Sequence, residues 1–169
     1  NRAKTPIIRT DGRVYEFGAQ GAALKLHRLR LQSEQLSPKI NQLEKLLEGQ
    51  PKNCIDLERR IAVLSRELAY ISQRRKFLRR AVAWASARWT VNLALQTHAT
   101  VIYVEDLRTM EGRGLGKKQN VRCSNQIRSI VLEALRHEAA KHGITVVTVP
   151  ARGTSSKCPR CLANHKHVK

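Results

Sequence analysis

The spacing of apolar positions changes twice along this chain, and each change marks a new kind of structure. Near the N-terminus, Pro6-Ile7-Ile8-Arg9-Thr10 and Arg13-Val14-Tyr15-Glu16-Phe17 cluster or alternate apolar residues around Asp11-Gly12. Glycine accepts positive φ, so the dipeptide suits a tight turn and the segment predicts a β-hairpin, broken by Gly18 and Gly21. From about Ala22 the period becomes helical. Leu26, Leu29, Leu36, Ile40, Leu43 and Leu47 step by three and four, with Ser33 in the one weak slot. This is a heptad seam, narrower than a core-facing stripe. Pro38 after Ser37 predicts the start of a second helix, because proline suits a first turn and serine an N-cap.

Glu48-Gly49-Gln50-Pro51-Lys52-Asn53 reads as a turn, after which the seam resumes. It runs through Leu57, Ile61, Leu64, Leu68, Ile71, Leu78, Val82, Ala85 and Trp89, interrupted by Arg75. A continuous helix over residues 53–98 would be roughly 65–70 Å long at about 1.5 Å per residue. Two matching seams about a short turn predict an antiparallel helical hairpin. The period then changes again. Thr100-Val101-Ile102-Tyr103-Val104 suits a buried central strand ending in Glu105-Asp106-Leu107. A glycine-rich basic loop follows, with Arg113, Lys117 and Lys118, and then an amphipathic helix from about Ser124 that stops at His142-Gly143. Ile144-Thr145-Val146-Val147-Thr148-Val149 is a second short buried strand, closed by Pro150. Strand, helix and strand at these lengths predict a right-handed βαβ unit with a parallel pair.

Composition sharpens the functional side. Of 169 residues, 32 are Lys or Arg and 13 Asp or Glu, a formal net charge of +19. Hydrophobic residues at 41% make the chain too apolar for a disordered basic tail. Such a surplus repels itself unless a polyanion neutralises it, and the commonest polyanion is nucleic acid; the rival is a basic protein that is merely soluble. Arg74, Arg75, Lys76, Arg79 and Arg80 fall within seven residues of the second helix, with few acids nearby. They read either as the solvated face of a coiled coil or as a track for a phosphate backbone, and the second is favoured. Aromatic residues, at 4%, argue against a single-strand binder built on stacking platforms. No apolar run is long enough to span a membrane, and no secretory leader is recognisable.

Two places could carry chemistry. Glu105 falls at the C-terminal end of a strand, where α/β sheets present functional groups, and a carboxylate there needs a metal, a hydrogen-bonding partner or water. One acid is too few for two-metal hydrolysis; the other reading is that Glu105 and Asp106 simply end the strand. Cys158-Pro159-Arg160-Cys161 is a knuckle able to bring two thiolates to one tetrahedral zinc, with Lys157 and Arg160 favouring the thiolate form. His165 and His167 could complete the set at unusually tight spacing, a second knuckle could lie downstream, or the tail could hold no metal; a redox pair is the remaining rival. Cys54 and Cys123 stand alone, so a disulfide framework is not expected.

Together, Val101-Ile102-Tyr103-Val104-Glu105-Asp106-Leu107, the basic loop, the helix ending in Lys141-His142-Gly143-Ile144, the strand to Val149-Pro150 and Thr154-Ser155-Ser156-Lys157-Cys158-Pro159-Arg160-Cys161 resemble the RuvC-like nuclease core of TnpB-type transposon proteins and type V CRISPR effectors. The match covers about residues 99–161; upstream only the layout agrees. The resemblance implies an α/β, RNase H-like mixed sheet with a long antiparallel helical hairpin and a partial zinc ribbon. The divisions it implies are 1–21, a hairpin of that sheet; 22–98, the basic helical hairpin; 99–150, the βαβ core; and 151–169, the first half of the ribbon. It further implies a guide RNA and target DNA as partners, no membrane, a prokaryotic cytoplasmic setting, structural Zn2+ on Cys158 and Cys161, and catalytic Mg2+ held in part by Glu105. In that family an Asp on the first strand and another after the ribbon complete the catalytic set. Both would lie outside residues 1–169, so a piece of a longer protein is expected. Two alternatives stand beside the nuclease: a guided DNA-binding effector with a decayed site, and a non-guided basic DNA-binding or zinc module.

Overall fold

The computed structural model describes residues 4–8, 12–49, 54–106 and 128–150. In chain order these form β1 (Lys4–Ile8), β2 (Val14–Gly18), α1 (Gln20–Glu48), α2 (Ile55–Gln96), β3 (Val101–Asp106), α3 (Arg128–Ala140) and β4 (Thr145–Pro150). The chain divides into two compact units, Asn1–Ala83 and Trp84–Lys169, and the division falls inside α2.

In the first unit β1 and β2 pair antiparallel, with Ile8 opposite Val14, and Gly12 takes the positive φ of +81° that the Asp-Gly dipeptide anticipates. α1 then runs unbroken for 29 residues with Pro38 inside it. Pro38 therefore does not begin a new helix. The seam is continuous on both sides of it, with Ser33, Leu36, Leu43 and Leu47 half-buried and Ile40 buried at 6% exposure. Continuity of that covered face outweighs the local cost of a ring without an N–H. Next to it, the Ser37 hydroxyl donates to the Ser33 carbonyl at 2.9 Å. On α2 the same logic leaves Leu57, Ile61, Leu64 and Leu68 half-buried and Ile71 buried.

The second unit packs the end of α2, α3 and the β3–β4 pair around one small core. Ala87, Val91 and Ala94 from α2 meet Ala134, Leu135 and Ala139 from α3 and Ile144, with Ile102, Val104 and Val146 of the strands against them. The small alanines let the elements approach closely. Both helices end in the same way. His98 N–H donates to the Leu95 carbonyl and Ala99 N–H to the Ala94 carbonyl; Gly143 N–H donates to Ala140 and Ile144 N–H to Ala139. These are paired Schellman caps, with His98 and Gly143 at φ 52° and 67°. Each cap turns the chain straight into a strand, and β3 pairs β4 in parallel from Val101 opposite Thr145 to Asp106 opposite Pro150.

The expected RNase H-like mixed sheet is not formed among the described residues. The described residues are mostly helical, with helices of 29, 42 and 13 residues, and their strands make two separate two-stranded sheets, one antiparallel and one parallel. Nor is β3 a buried central strand. Its residues alternate exposed and half-buried, and Val101 and Tyr103 are 37% and 68% exposed. Among the described residues only one face of the parallel pair is covered, because α3 and the end of α2 lie on the face of Ile102, Val104 and Val146. The expected partial zinc ribbon lies outside the described residues.

Candidate nucleic-acid interface

Between Glu67 and Glu105 the chain has no Asp or Glu. The cations from Arg74 to Arg80 thus lie on a helix with no acid of that helix within a turn of them. Arg74, Lys76 and Arg80 are exposed, while Arg75 and Arg79 are half-buried one turn apart. Burial, and then the charge of Arg75, lowers the Arg79 pKa from its ordinary value; the group stays charged at neutral pH. The Arg74 guanidinium lies over the Tyr70 ring, 5.6 Å from its centroid. That contact orients a planar, weakly hydrated cation without neutralising it.

Two grooves open between α1 and the first part of α2. One, of about 550 Å³, is lined by Lys25, Arg28, Leu29 and Gln32 from α1 and by Arg74, Phe77, Leu78 and Ala81 from α2. The other, of about 590 Å³, is lined by Lys39, Gln42, Leu43 and Leu46 opposite Arg59, Arg60, Val63 and Leu64. The order of these residues makes the two helices antiparallel. Among the described residues each groove carries three cations and no carboxylate, so each is an apolar trough with a positive rim. The sequence reading reached Arg74 but missed Lys25, Arg28, Tyr70 and Phe77. The signal was available: Tyr70, Arg74, Phe77 and Ala81 follow one another by four, three and four, a second stripe on α2 off the apolar seam.

Glu105 stands on the exposed face of β3 with Val101 and Tyr103, opposite Val149, while Asp106 turns to the other side and is half-buried. The chemistry of that face is one carboxylate among apolar neighbours. Among the described residues no group of three or more His, Cys, Asp or Glu could hold a metal ion, so these residues do not fit a two-Mg2+ site by themselves. Cys158 and Cys161, the expected zinc ligands, and Arg113, Lys117 and Lys118 lie outside the described residues. Among the described residues no helix is long and apolar enough to cross a membrane.

A further charged cluster is structural. Glu138, buried at 8% exposure, accepts a 3.0 Å hydrogen bond from Lys141 Nζ, and Arg88 Nε and His137 Nδ1 each lie 3.9 Å from the same oxygen. The hydrogen bond from Lys141 lowers the Glu138 pKa against the opposing effect of burial, helped by the charges of Lys141, Arg88 and His137. This carboxylate ties α3 to the end of α2, and the edge-on stacking of Trp84 on His137, centroids 5.1 Å apart, covers the junction.

Compared with protein-family models and with curated proteins, the chain finds no match in either.

Proposed function

We propose that the chain is a nucleic-acid-binding segment of an RNA-guided DNA-targeting protein of the TnpB and type V CRISPR effector kind, acting in the prokaryotic cytoplasm and cleaving DNA in its intact form. The observation that carries the proposal is the acid-free cationic stretch of α2 set along a groove that α1 rims with further cations. A guided nuclease delegates sequence reading to base pairing, so its protein surface needs backbone attraction, and Arg74, Lys76 and Arg80 supply it. The order of motifs between residues 99 and 161 supports the guided reading; the RNase H-like sheet forms no part of it. In the intact nuclease Glu105 would be one of several Mg2+ ligands and Cys158 and Cys161 would hold structural Zn2+, with guide RNA and target DNA as partners.

The test is made in the full-length parent. Glu105→Ala should abolish cleavage and leave guided binding nearly unchanged, read by cleavage and gel-shift assays on the same target. Undiminished cleavage would remove Glu105 from the site. A long structured RNA should copurify with the parent, and its absence would end the guided reading.

A further inference from the structure

Low aromatic content argues against a surface of many stacking platforms, yet one of the few aromatic side chains stands where the cations converge. Phe77, 63% exposed, lines the groove across from the α1 cations, and Tyr70, 57% exposed, lies two turns earlier on α2. The exposed ring of Phe77 offers a face that any base can stack on. Lys25 and Arg28 line the opposite wall, and Arg74, which lines the groove beside Phe77, has its guanidinium over the Tyr70 ring. A duplex hides its base faces, so a ring in a groove rimmed by cations is matched to a strand whose bases are free. The groove's volume of about 550 Å³ lies within the roughly 300–1,000 Å³ range of clefts that hold small ligands.

We propose that this groove is a subsite for an unpaired stretch of nucleic acid, with one base stacked on Phe77 and its flanking phosphates held by Lys25, Arg28 and Arg74. The proposal rests on the nucleic-acid reading above and adds to it the strand state and the seat. Phosphates would run along the cationic rim while the base enters the apolar trough beside Leu29 and Leu78. Gln32 is a further lining side chain, able to donate to or accept from a base edge.

The experiment uses the whole chain with fluorescein-labelled oligo-U, oligo-dT and a DNA duplex of the same length, measured by anisotropy. Phe77→Ala should weaken binding to both single strands about tenfold or more and leave the duplex within about twofold, and Phe77→Trp should restore or strengthen the single-strand affinity. Because Phe77 is exposed, neither change removes core, and circular dichroism will confirm the fold. Ile55→Ala, at an exposed apolar position that lines neither groove, should change nothing. If oligo-U and oligo-dT respond alike, the seat reads an unpaired base; if only one responds, it also reads the sugar or the thymine methyl group. Single-strand binding that ignores Phe77 but collapses with Arg28→Glu and Arg74→Glu would overturn the stacking seat and leave the backbone-binding reading standing. Failure of all three nucleic acids to bind would overturn both. An oligo-glutamate that binds with the same Phe77 dependence would mark a peptide site instead and overturn the proposal.

Discussion

A residue other than glycine held in the left-handed region costs about 1–2 kcal/mol, and His98 is held there while capping α2. Its counterpart Gly143 makes the same pair of cap hydrogen bonds on α3 without that cost. A Cβ at Gly143 would meet no atom within 4 Å, so any effect of adding one is backbone energy and not a clash. His98→Gly should therefore stabilise the chain by ~0.5–1 kcal/mol after the extra chain entropy of glycine is subtracted, and Gly143→Ala should destabilise it by a similar amount. Paired urea titrations will show opposite shifts of midpoint; shifts of one sign would mean the caps are not equivalent. Glu138 gives a second test at this scale. Its pKa is lower in the folded chain than in the unfolded one, so its contribution is complete above the ordinary carboxylate value and is lost as pH falls through the folded value. Melting temperature should therefore fall as the solution is taken below about pH 4.3, and Glu138→Gln should flatten the curve in that window. An unchanged slope in the variant would assign the acid sensitivity to other carboxylates.

At the scale of elements, α1 continues through a proline that local rules would place at a helix start. The ring removes one backbone hydrogen bond and crowds the carbonyl one turn back, at a cost of up to about 3 kcal/mol, and Pro38 is exposed, so nothing packs on it in return. Pro38→Ala should raise thermal stability and helical ellipticity, and a loss of stability would show that the chain needs a bend there. The α1 seam was legible because each of its positions lies on the covered side. The later part of the α2 seam was not. Ala85, on the heptad track, is exposed, whereas Ala83, Ser86, Ala87, Val91 and Ala94 are buried. An α-helix drifts about 20° per heptad against a strict seven-residue repeat, and the small residues of the next turns attract a different neighbour. β3 and β4 were legible as strands from their β-branched run, but their exposure was not. Periodicity in Val101 to Val104 reads apolar on both faces, and only the partners present decide which face is covered. For the same reason the place of Glu105 near a strand end was legible, while the groove at Phe77 was hidden: its walls come from residues about fifty apart in sequence, brought together only when the helices pair.

For the molecule as a whole, the surplus of +19 acts on folding and on binding with opposite sign. Without a polyanion the charges repel one another, and salt relieves that repulsion over a Debye length of about 10 Å at 0.1 M. Added salt should therefore raise the melting temperature of the free chain. The same ions compete with phosphate, and affinity for a single strand should fall with log salt at a slope of about −0.7 for each phosphate neutralised. Arg28→Ala and Arg74→Ala should each reduce that slope by roughly 0.7 if each side chain holds one phosphate. Phe77→Ala should lower affinity at every salt concentration while leaving the slope unchanged, because a stacked ring releases no counterions. Measured together, melting temperature and dissociation constant against sodium chloride separate the two roles of the charge. A free chain that salt destabilises would mean that its cations are already paired within the fold, and a binding slope indifferent to Arg28 and Arg74 would move the phosphate track away from the groove between α1 and α2.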